Sequence, residues 1–263
     1  MDDFDVGHLW NNNADTWTTL VRQGYDVYRD WVNTPAFLAM LPDIDGLKGL
    51  DIGCGEGTNT RKLAERGAEM VAIDVAQNFL HHALAQENHD PRGILFQAAS
   101  ASHLPFSKAT FDFATAFMSL MDIPNHEKAV RETYRVLKPG GFFQFSITHP
   151  CFDPPYRESL KDQEGKEYAI AVGDYFANID GRIDEWLFSN VPAEEQQRWP
   201  KFRIPRFHRT LSEWLNLLIA KGFVIEELAE PRADEESAAR CPTVADTQIV
   251  AYFLHIRCRK PLS

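Results

Sequence analysis

Short apolar stretches alternate with amphipathic stretches between about residues 47 and 150. The apolar stretches predict strands at 47–52, 70–73, 94–97, 111–117 and 142–148. The amphipathic stretches predict helices at 58–66, 76–85 and 127–137. Strands that alternate with helices of about ten residues are typical of a parallel sheet with helices on both faces.

Two flanking segments lack this rhythm. Residues 1–45 carry aromatic residues at broadly helical spacing and predict a helical lid, whereas residues 151–209 have no clear period and are interpreted as an inserted cap. The pattern then resumes with a helix at 211–221, strands at 223–228 and 248–256, and an acidic loop at 231–242. The predicted organisation is a lid at 1–45, a core at 46–150, a cap at 151–209 and the rest of the core sheet at 210–263.

The composition narrows the classes of partner. The chain has 263 residues, 27 Lys plus Arg against 38 Asp plus Glu, and a net charge of −11, so nucleic-acid and anionic-membrane binding are not expected. The four cysteines form no C-x-x-C pair, and the acidic start Met1–Asp5 lacks the apolar region of a signal peptide. We expect a soluble cytoplasmic protein without a metal site, and the sequence specifies no oligomeric state.

The most informative stretch is Gly53-Cys54-Gly55-Glu56-Gly57, between the first predicted strand and helix. Alternate glycines allow a tight turn and the close approach of a ligand to the backbone. The spacing is G-x-G-x-G, and Thr58 stands where the dinucleotide fingerprint G-x-G-x-x-G requires glycine. The alternative is a βα turn without a ligand.

Two carboxylates flank this loop in the predicted strand order. Asp51 precedes it and would attract a cation such as an amino group while repelling a pyrophosphate. Asp74 ends the second predicted strand, where an acid can accept both ribose hydroxyls of a nucleoside. Together these features indicate S-adenosylmethionine as the cofactor; the alternative is that Asp74 only caps a helix.

Several stretches resemble the class I S-adenosylmethionine-dependent methyltransferases, specifically the type 11 small-molecule group. In chain order they are Leu50–Gly57, Val71–Asp74, Leu104–Phe106, Phe111-Asp112 and Val136–Gly141. The resemblance implies a Rossmann-like, doubly wound α/β fold with a seven-stranded, mostly parallel sheet whose last strand is antiparallel. It also implies methyl transfer to a small-molecule acceptor through oxygen, nitrogen or carbon, with S-adenosylhomocysteine as product.

The resemblance further implies cofactor-binding residues. Gly53 and Gly55 would run beside the methionine part with Asp51 near its amino group, and Cys54 occupies a family-typical position in the loop. Asp74 would hold the ribose, Val75 would pack on the adenine, and Ser100 and Ala101 would meet its edge. An aspartate is usual at the Ser100 position, and serine would bind the adenine amine more weakly. Phe117 and Met118 would lie beneath the methyl group. Independently of the resemblance, aromatic faces of the lid could attract the sulfonium, and Tyr28 is the favoured residue for cofactor contact; the alternative is a helical face packed on the sheet edge.

The acceptor should lie between the exits of the fourth and fifth predicted strands, the lid and the cap. Alignment and desolvation can supply most of the acceleration of methyl transfer, but a hydroxyl or acidic-carbon acceptor benefits from a base. His149 is the first candidate because its pKa suits neutral pH, and Asp122 is the second. The alternatives are a histidine that fixes the loop before Pro150 and an exposed helix cap at Asp122.

Other functions stay open at this point. They are a non-catalytic cofactor-binding protein on the same fold, an NAD-dependent oxidoreductase, and methylation of RNA or protein. Thr58 and Asp51 disfavour the oxidoreductase, and the acidic balance disfavours RNA. The basic and aromatic residues at 198–209 are interpreted as a solvated cap face or a funnel for an anionic substrate.

Overall fold

A seven-stranded sheet forms the centre of the computed structural model, which describes residues 1–165 and 167–262. Its strands are β1 (Lys48–Ile52), β2 (Glu69–Asp74), β3 (Leu95–Ala98), β4 (Phe111–Phe117), β5 (Leu137–Thr148), β10 (Val224–Ala229) and β11 (Phe253–Arg259). Between β5 and β10 the chain forms two separate two-stranded ladders. One pairs β6 (Tyr156–Lys161) with β7 (Glu167–Gly173), and the other pairs β8 (Asp180–Trp186) with β9 (Phe202–Phe207). The strand order is β10-β11-β5-β4-β1-β2-β3. Only β11 runs against its neighbours in this sheet, so the predicted fold is confirmed for the described residues.

Helices cover both faces of the sheet. They are α1 (Asp3–Arg22), α2 (Thr34–Met40), α3 (Thr58–Ala64), α4 (Gln77–His89), α5 (His126–Val136), α6 (Ala193–Gln196), α7 (Leu211–Ala220) and α8 (Glu235–Arg240), with a π-helical turn at Arg29–Asn33 and 3-10 turns at Leu120–Asp122 and Pro242–Gln248. One core lies between the sheet and helices α5 and α7, where Phe145 meets Trp214. A second core on the opposite face contains Phe37, Leu63 and Phe113.

The C-terminal boundaries differ from the sequence prediction. The last strand is Phe253–Arg259 rather than 248–256, because its partner β5 ends at Thr148, which pairs with Phe253. The residues before it form a 3-10 turn in which Thr247 donates to the carbonyl of Val244 and accepts from the amide of Ala233. The loop expected at 231–242 contains α8. The apolar run at 249–254 therefore belongs partly to a turn.

Helix α1 is fixed to both helix α4 and the ladder of β8 and β9. Asp2 caps its first turn, and the side chain of Asn13 exchanges two hydrogen bonds of 3.0 and 3.1 Å with the backbone of Arg203 in β9. Trp17 packs on Phe188 and Phe202, at 4.9 and 4.7 Å between ring centroids. The helix is therefore held by hydrogen bonds as well as by an aromatic stripe.

No helix of the described chain, residues 1–165 and 167–262, has both the length and the apolar composition needed to cross a membrane.

Candidate active site

A cavity of about 590 Å³ opens at the carboxyl ends of β1, β2, β4 and β5. This volume falls within the range of small-molecule sites, about 300–1,000 Å³, and the position is where open α/β sheets bind ligands. Residues of the N-terminal helices, the core and the β8–β9 ladder all contribute to its lining. The predicted lid, core and cap segments therefore meet at one cavity.

The glycine loop forms one wall of the cavity by approaching the exit of β4. Gly53 has a φ of +70°, and a Cβ there would lie 2.4 Å from the Cβ of Ser119, so no other residue fits without displacement. The amides of Gly53 and Cys54 both donate to the carbonyl of Ile73. Gly55, with a φ of +55°, has open space around its missing Cβ.

Asp51 lies under the loop with both carboxylate oxygens occupied. Thr60 donates to one oxygen at 2.5 Å and Thr115 to the other at 2.8 Å. Burial raises the pKa of the Asp51 carboxyl to about 6, against the lowering effect of these hydroxyls. The structure places Asp51 against the cavity, and each oxygen keeps a second lone pair for a ligand donor.

Asp74 orders the loop from the end of β2. Its oxygens accept from the amides of Gly55 and Ala76, both at 2.8 Å, and burial raises the pKa of its carboxyl. Val75 beside it lines the cavity and is 37 % exposed, which leaves an apolar surface for a planar ring. The structure thus brings Asp51, Asp74 and Val75 to the same cavity as the glycine loop.

Ser100 and Ala101 line the cavity at the exit of β3, but the Ser100 hydroxyl is already engaged. It donates to Asp3 of α1 at 2.5 Å and accepts from the amide of Ser102 at 3.0 Å. This pairing disagrees with the expectation that Ser100 itself binds the adenine amine, because helix α1 brings a carboxylate in front of it. No local sequence pattern marks Asp3 as a residue of this cavity.

Phe117 and Met118 line the cavity at the exit of β4, as expected from the resemblance. Met118 has a φ of +50°, unusual for a residue with a side chain, and its amide donates to the carbonyl and hydroxyl oxygens of Ser146. Cys54 also lines the cavity, and burial raises the pKa of its thiol well above its usual value. Cys54 is therefore a neutral, unreactive wall of the site.

Tyr28 lines the cavity through its ring, while its hydroxyl points to the C-terminal part of the chain. The hydroxyl contacts the carbonyl of Thr243 and the carboxylate of Asp246, each at 3.0 Å. Arg29, which follows it, lies 3.4 Å from Glu56 of the glycine loop. No simple sequence signal marks Arg29, because it comes to the glycine loop through a π-helical turn, and such turns have no clear sequence pattern.

Asp122 is a cavity residue, not the exposed helix cap considered as its alternative. It ends the 3-10 turn after β4, and burial raises the pKa of its carboxyl to about 8 despite the nearby positive charges of Arg209 and Arg206. Among residues 1–165 and 167–262 its carboxyl oxygens have no hydrogen-bond partner. A carboxyl group with a pKa near the working pH is suited to proton transfer.

His149 does not line the cavity, which argues against its expected role as a base. Thr148 and Pro150 on either side line the wall, whereas His149 is 2 % exposed between them. The amide of Cys151 donates to its Nδ1, and its Nε2 lies 2.9 Å from Glu230. Both nitrogens are thus engaged in fixing the loop, and burial lowers the pKa of the imidazole.

The basic segment at 198–209 divides between surface and cavity. Lys201 and Arg203 are exposed, while Arg206 and Arg209 line the cavity. Arg209 donates to the carbonyls of Met121, Ile123 and Pro124, and it therefore holds the turn that carries Asp122. Because this guanidinium is committed to the backbone, Arg209 positions that turn.

The charges of the lining fit a cationic nucleoside such as S-adenosylmethionine. Three arginines face eight carboxyl groups, which are Asp3, Asp26, Asp51, Glu56, Asp74, Asp122, Asp153 and Asp184, and of these the Asp122 group is mostly protonated at neutral pH. An excess of carboxylates favours a ligand with a positive charge over a pyrophosphate. The left-handed glycines and the buried acid at the end of β2 lie together at this cavity.

Comparison with known proteins agrees with this geometry. The sequence model of a methyltransferase domain matches residues 50–145. A solved S-adenosylmethionine-dependent methyltransferase of Mesorhizobium loti superposes with a TM-score of 0.70 and 27% identity, covering 86% of this chain and 96% of that one.

Curated relatives include methyltransferases of small molecules. A ubiquinone/menaquinone biosynthesis C-methyltransferase of Bartonella tribocorum is 27% identical over 71% of this chain and 72% of its own length. A sterol 4-C-methyltransferase of Caenorhabditis elegans is 32% identical over 55% of this chain, which spans under half, 45%, of that relative. In sequence, fold and site geometry the chain is similar to the class I S-adenosylmethionine-dependent methyltransferases, and their cofactor fits its cavity.

Proposed function

We propose that this protein methylates a small-molecule acceptor and that Asp122 takes the acceptor's proton. The observation that carries the proposal is that a single cavity extends along the carboxyl edge of the sheet, past the ends of several strands. The strand order β5-β4-β1-β2-β3 puts Asp74 and Ser100 toward one side and Asp122 toward the other. A single cavity thus has room for a cofactor beside a second molecule.

The cofactor side would use the residues around the glycine loop. S-adenosylmethionine, when bound, supplies a methyl group on a positively charged sulfur and leaves as S-adenosylhomocysteine. Asp74 would accept the ribose hydroxyls and Asp51 the amino group, while Arg29 offers a positive charge for the carboxylate. Val75 would pack on the adenine, with Ala101 at its edge, and Phe117 and Met118 would lie against the reacting end.

The acceptor side supports a small molecule with an apolar body. Phe207 of β9 and Trp214 of α7 line the cavity there, and both rings pack on the guanidinium of Arg209, which lies 5.2 and 5.5 Å from their centroids. Aromatic walls with a few polar groups are typical of small-molecule sites, and they also exclude water. Quinone-pathway and sterol methyltransferases are among the relatives, which agrees with an acceptor of this kind.

Asp122 would act as the general base for an O–H, N–H or acidic C–H acceptor. In its ionised form it removes the proton as the acceptor atom bonds to the methyl carbon, and the carboxyl group then releases the proton to solvent. Arg209 would hold the turn in place during this step through its three backbone contacts. Alignment by the aromatic walls supplies the remainder of the acceleration.

A fractionated extract tests this function. The protein is incubated with methyl-labelled S-adenosylmethionine and with the small-molecule, RNA or protein fraction of a cell extract. We expect label in a product of the small-molecule fraction, together with an equal amount of S-adenosylhomocysteine. Label transferred only to RNA or protein would contradict the proposed acceptor class, and the Asp122→Asn variant serves as the low-activity comparison.

A further inference from the structure

Asp3 carries a buried oxygen that nothing in the protein satisfies. Its Oδ2 accepts the hydroxyl of Ser100, but its Oδ1 has no hydrogen-bond partner anywhere in the described chain, residues 1–165 and 167–262. Asp3 also lines the cavity together with Ser100 and Ala101. A buried acceptor without a partner is unfavourable, and at a ligand cavity its expected partner is a donor on the ligand.

Helix α1, which carries this carboxylate, is docked on the exit of β2. Gly7 packs on Val75, where a Cβ would come within 3.0 Å of a methyl group, so glycine permits the close approach. Asn11 accepts from the amide of Asn78 at 2.8 Å, and its carbonyl accepts from the Asn78 side chain at 3.2 Å. The first turns of α1 are thus docked on α4 and on the surface assigned to the adenine.

The hydrogen bonds of Ser100 determine what kind of ligand group can face Asp3. The hydroxyl proton of Ser100 goes to Asp3, and its oxygen already accepts from Ser102. Ser100 therefore has no proton left for a ligand, and the free oxygen of Asp3 can only accept. The complementary ligand atom must be a hydrogen-bond donor.

We propose that Asp3 binds the 6-amino group of the cofactor's adenine and so selects an adenine nucleoside. This inference rests on the proposed cofactor site, in which Asp74 holds the sugar and Val75 packs on the base. Adenine presents its 6-amino group as a donor, whereas a 6-oxo purine presents an acceptor at the same place. A 6-oxo group would face the Asp3 carboxylate with repulsion, and Ser100 acts by orienting that carboxylate.

Calorimetric titration of the full chain with two ligands tests the proposal. The ligands are S-adenosylhomocysteine and its 6-oxo analogue, S-inosylhomocysteine. We expect wild type to bind the 6-amino ligand about ten- to a hundredfold more tightly, the range typical of a hydrogen bond to a charged group. The Asp3→Ala variant should lose this preference, so that its two dissociation constants become similar.

Asp15→Ala is the matched control on the same helix. Asp15 is 81 % exposed in its side chain, pairs with His82 and does not line the cavity, so its removal should leave both affinities unchanged. If Asp3→Ala bound both ligands equally more weakly and kept the wild-type ratio of affinities, Asp3 would only dock α1 and the proposal would be overturned. An unchanged preference for the 6-amino ligand with unchanged affinities would overturn it as well. Failure of wild type to bind either ligand would instead refute the proposed cofactor site.

Discussion

Replacement of Asp122 by asparagine tests the proposed base most directly among single substitutions. The amide has nearly the same shape as the carboxyl group, so the cavity wall and the contacts of Arg209 with the turn should persist. What the variant loses is the ability to take up a proton. Because no protein group in the described residues hydrogen bonds to this carboxyl, the substitution breaks no internal hydrogen bond.

The raised pKa of Asp122 sets the expected size and pH dependence of the effect. With a pKa of about 8, about one tenth of the carboxyl is ionised at pH 7 and about nine tenths at pH 9. A rate that requires the ionised form would therefore rise about tenfold between these values. A bound sulfonium favours the charged carboxylate and moves this rise toward lower pH.

The assay is the initial rate of S-adenosylhomocysteine release between pH 5.5 and 9.5, with saturating cofactor and the acceptor found in the fractionation. Loss of a general base is expected to lower kcat/KM by about 10²- to 10⁴-fold and to remove the rise with pH. Affinity for S-adenosylhomocysteine should change little. Asp15→Asn, outside the cavity, should behave as wild type.

Unchanged turnover and an unchanged pH profile in Asp122→Asn would refute the role of Asp122 as a base. Methyl transfer would then depend on alignment and desolvation alone. A drop in rate that is uniform across pH, with weaker acceptor binding, would instead assign Asp122 to orientation of the acceptor.

Three further outcomes follow from the same geometry. Gly53→Ala should weaken S-adenosylhomocysteine binding in calorimetry far more than Gly55→Ala, because only the first new Cβ collides with Ser119; equal effects would contradict the close approach. His149→Ala should retain near-normal kcat while lowering the melting temperature, and a collapse of kcat with an unchanged melting temperature would return His149 to the chemistry. The pKa of Asp122 is raised in the folded state, so its contribution to stability falls as pH rises from about 4 to 8; Asp122→Asn should therefore raise the melting temperature more at pH 8.5 than at pH 5. A constant difference across pH would contradict that burial effect.

The sequence was sufficient to predict the central sheet and much of the cavity wall. Period and glycine placement locate β1 to β5 because buried parallel strands read as apolar runs and turns require special backbone angles. The capping box at Thr210 and Glu213 is present as the sequence indicates. The sequence does not predict where β11 begins. The apolar run starts before Phe253, but β5 ends at Thr148 and offers no strand partner to the earlier residues.

The site residues that the sequence can predict are those that lie within its local motifs. Motif spacing predicts Asp51, Asp74 and the loop glycines, because all of them lie at the ends of β1 and β2. Asp3 comes to the cavity only through the docking of a distant helix, and such tertiary placement leaves no pattern in a single sequence. For His149 the sequence leaves a base and a loop-fixing residue both open, because residue type indicates its chemistry but not the direction in which the chain turns its side chain.

Whether the cavity binds S-adenosylmethionine is decided by calorimetric titration of wild type with S-adenosylhomocysteine. We expect saturable binding at one site per chain, and no heat with NAD at the same concentrations. Circular dichroism on the same sample establishes that the protein is folded. A folded protein that binds NAD, or that gives no heat with S-adenosylhomocysteine, would show that the cavity is not a site for S-adenosylmethionine.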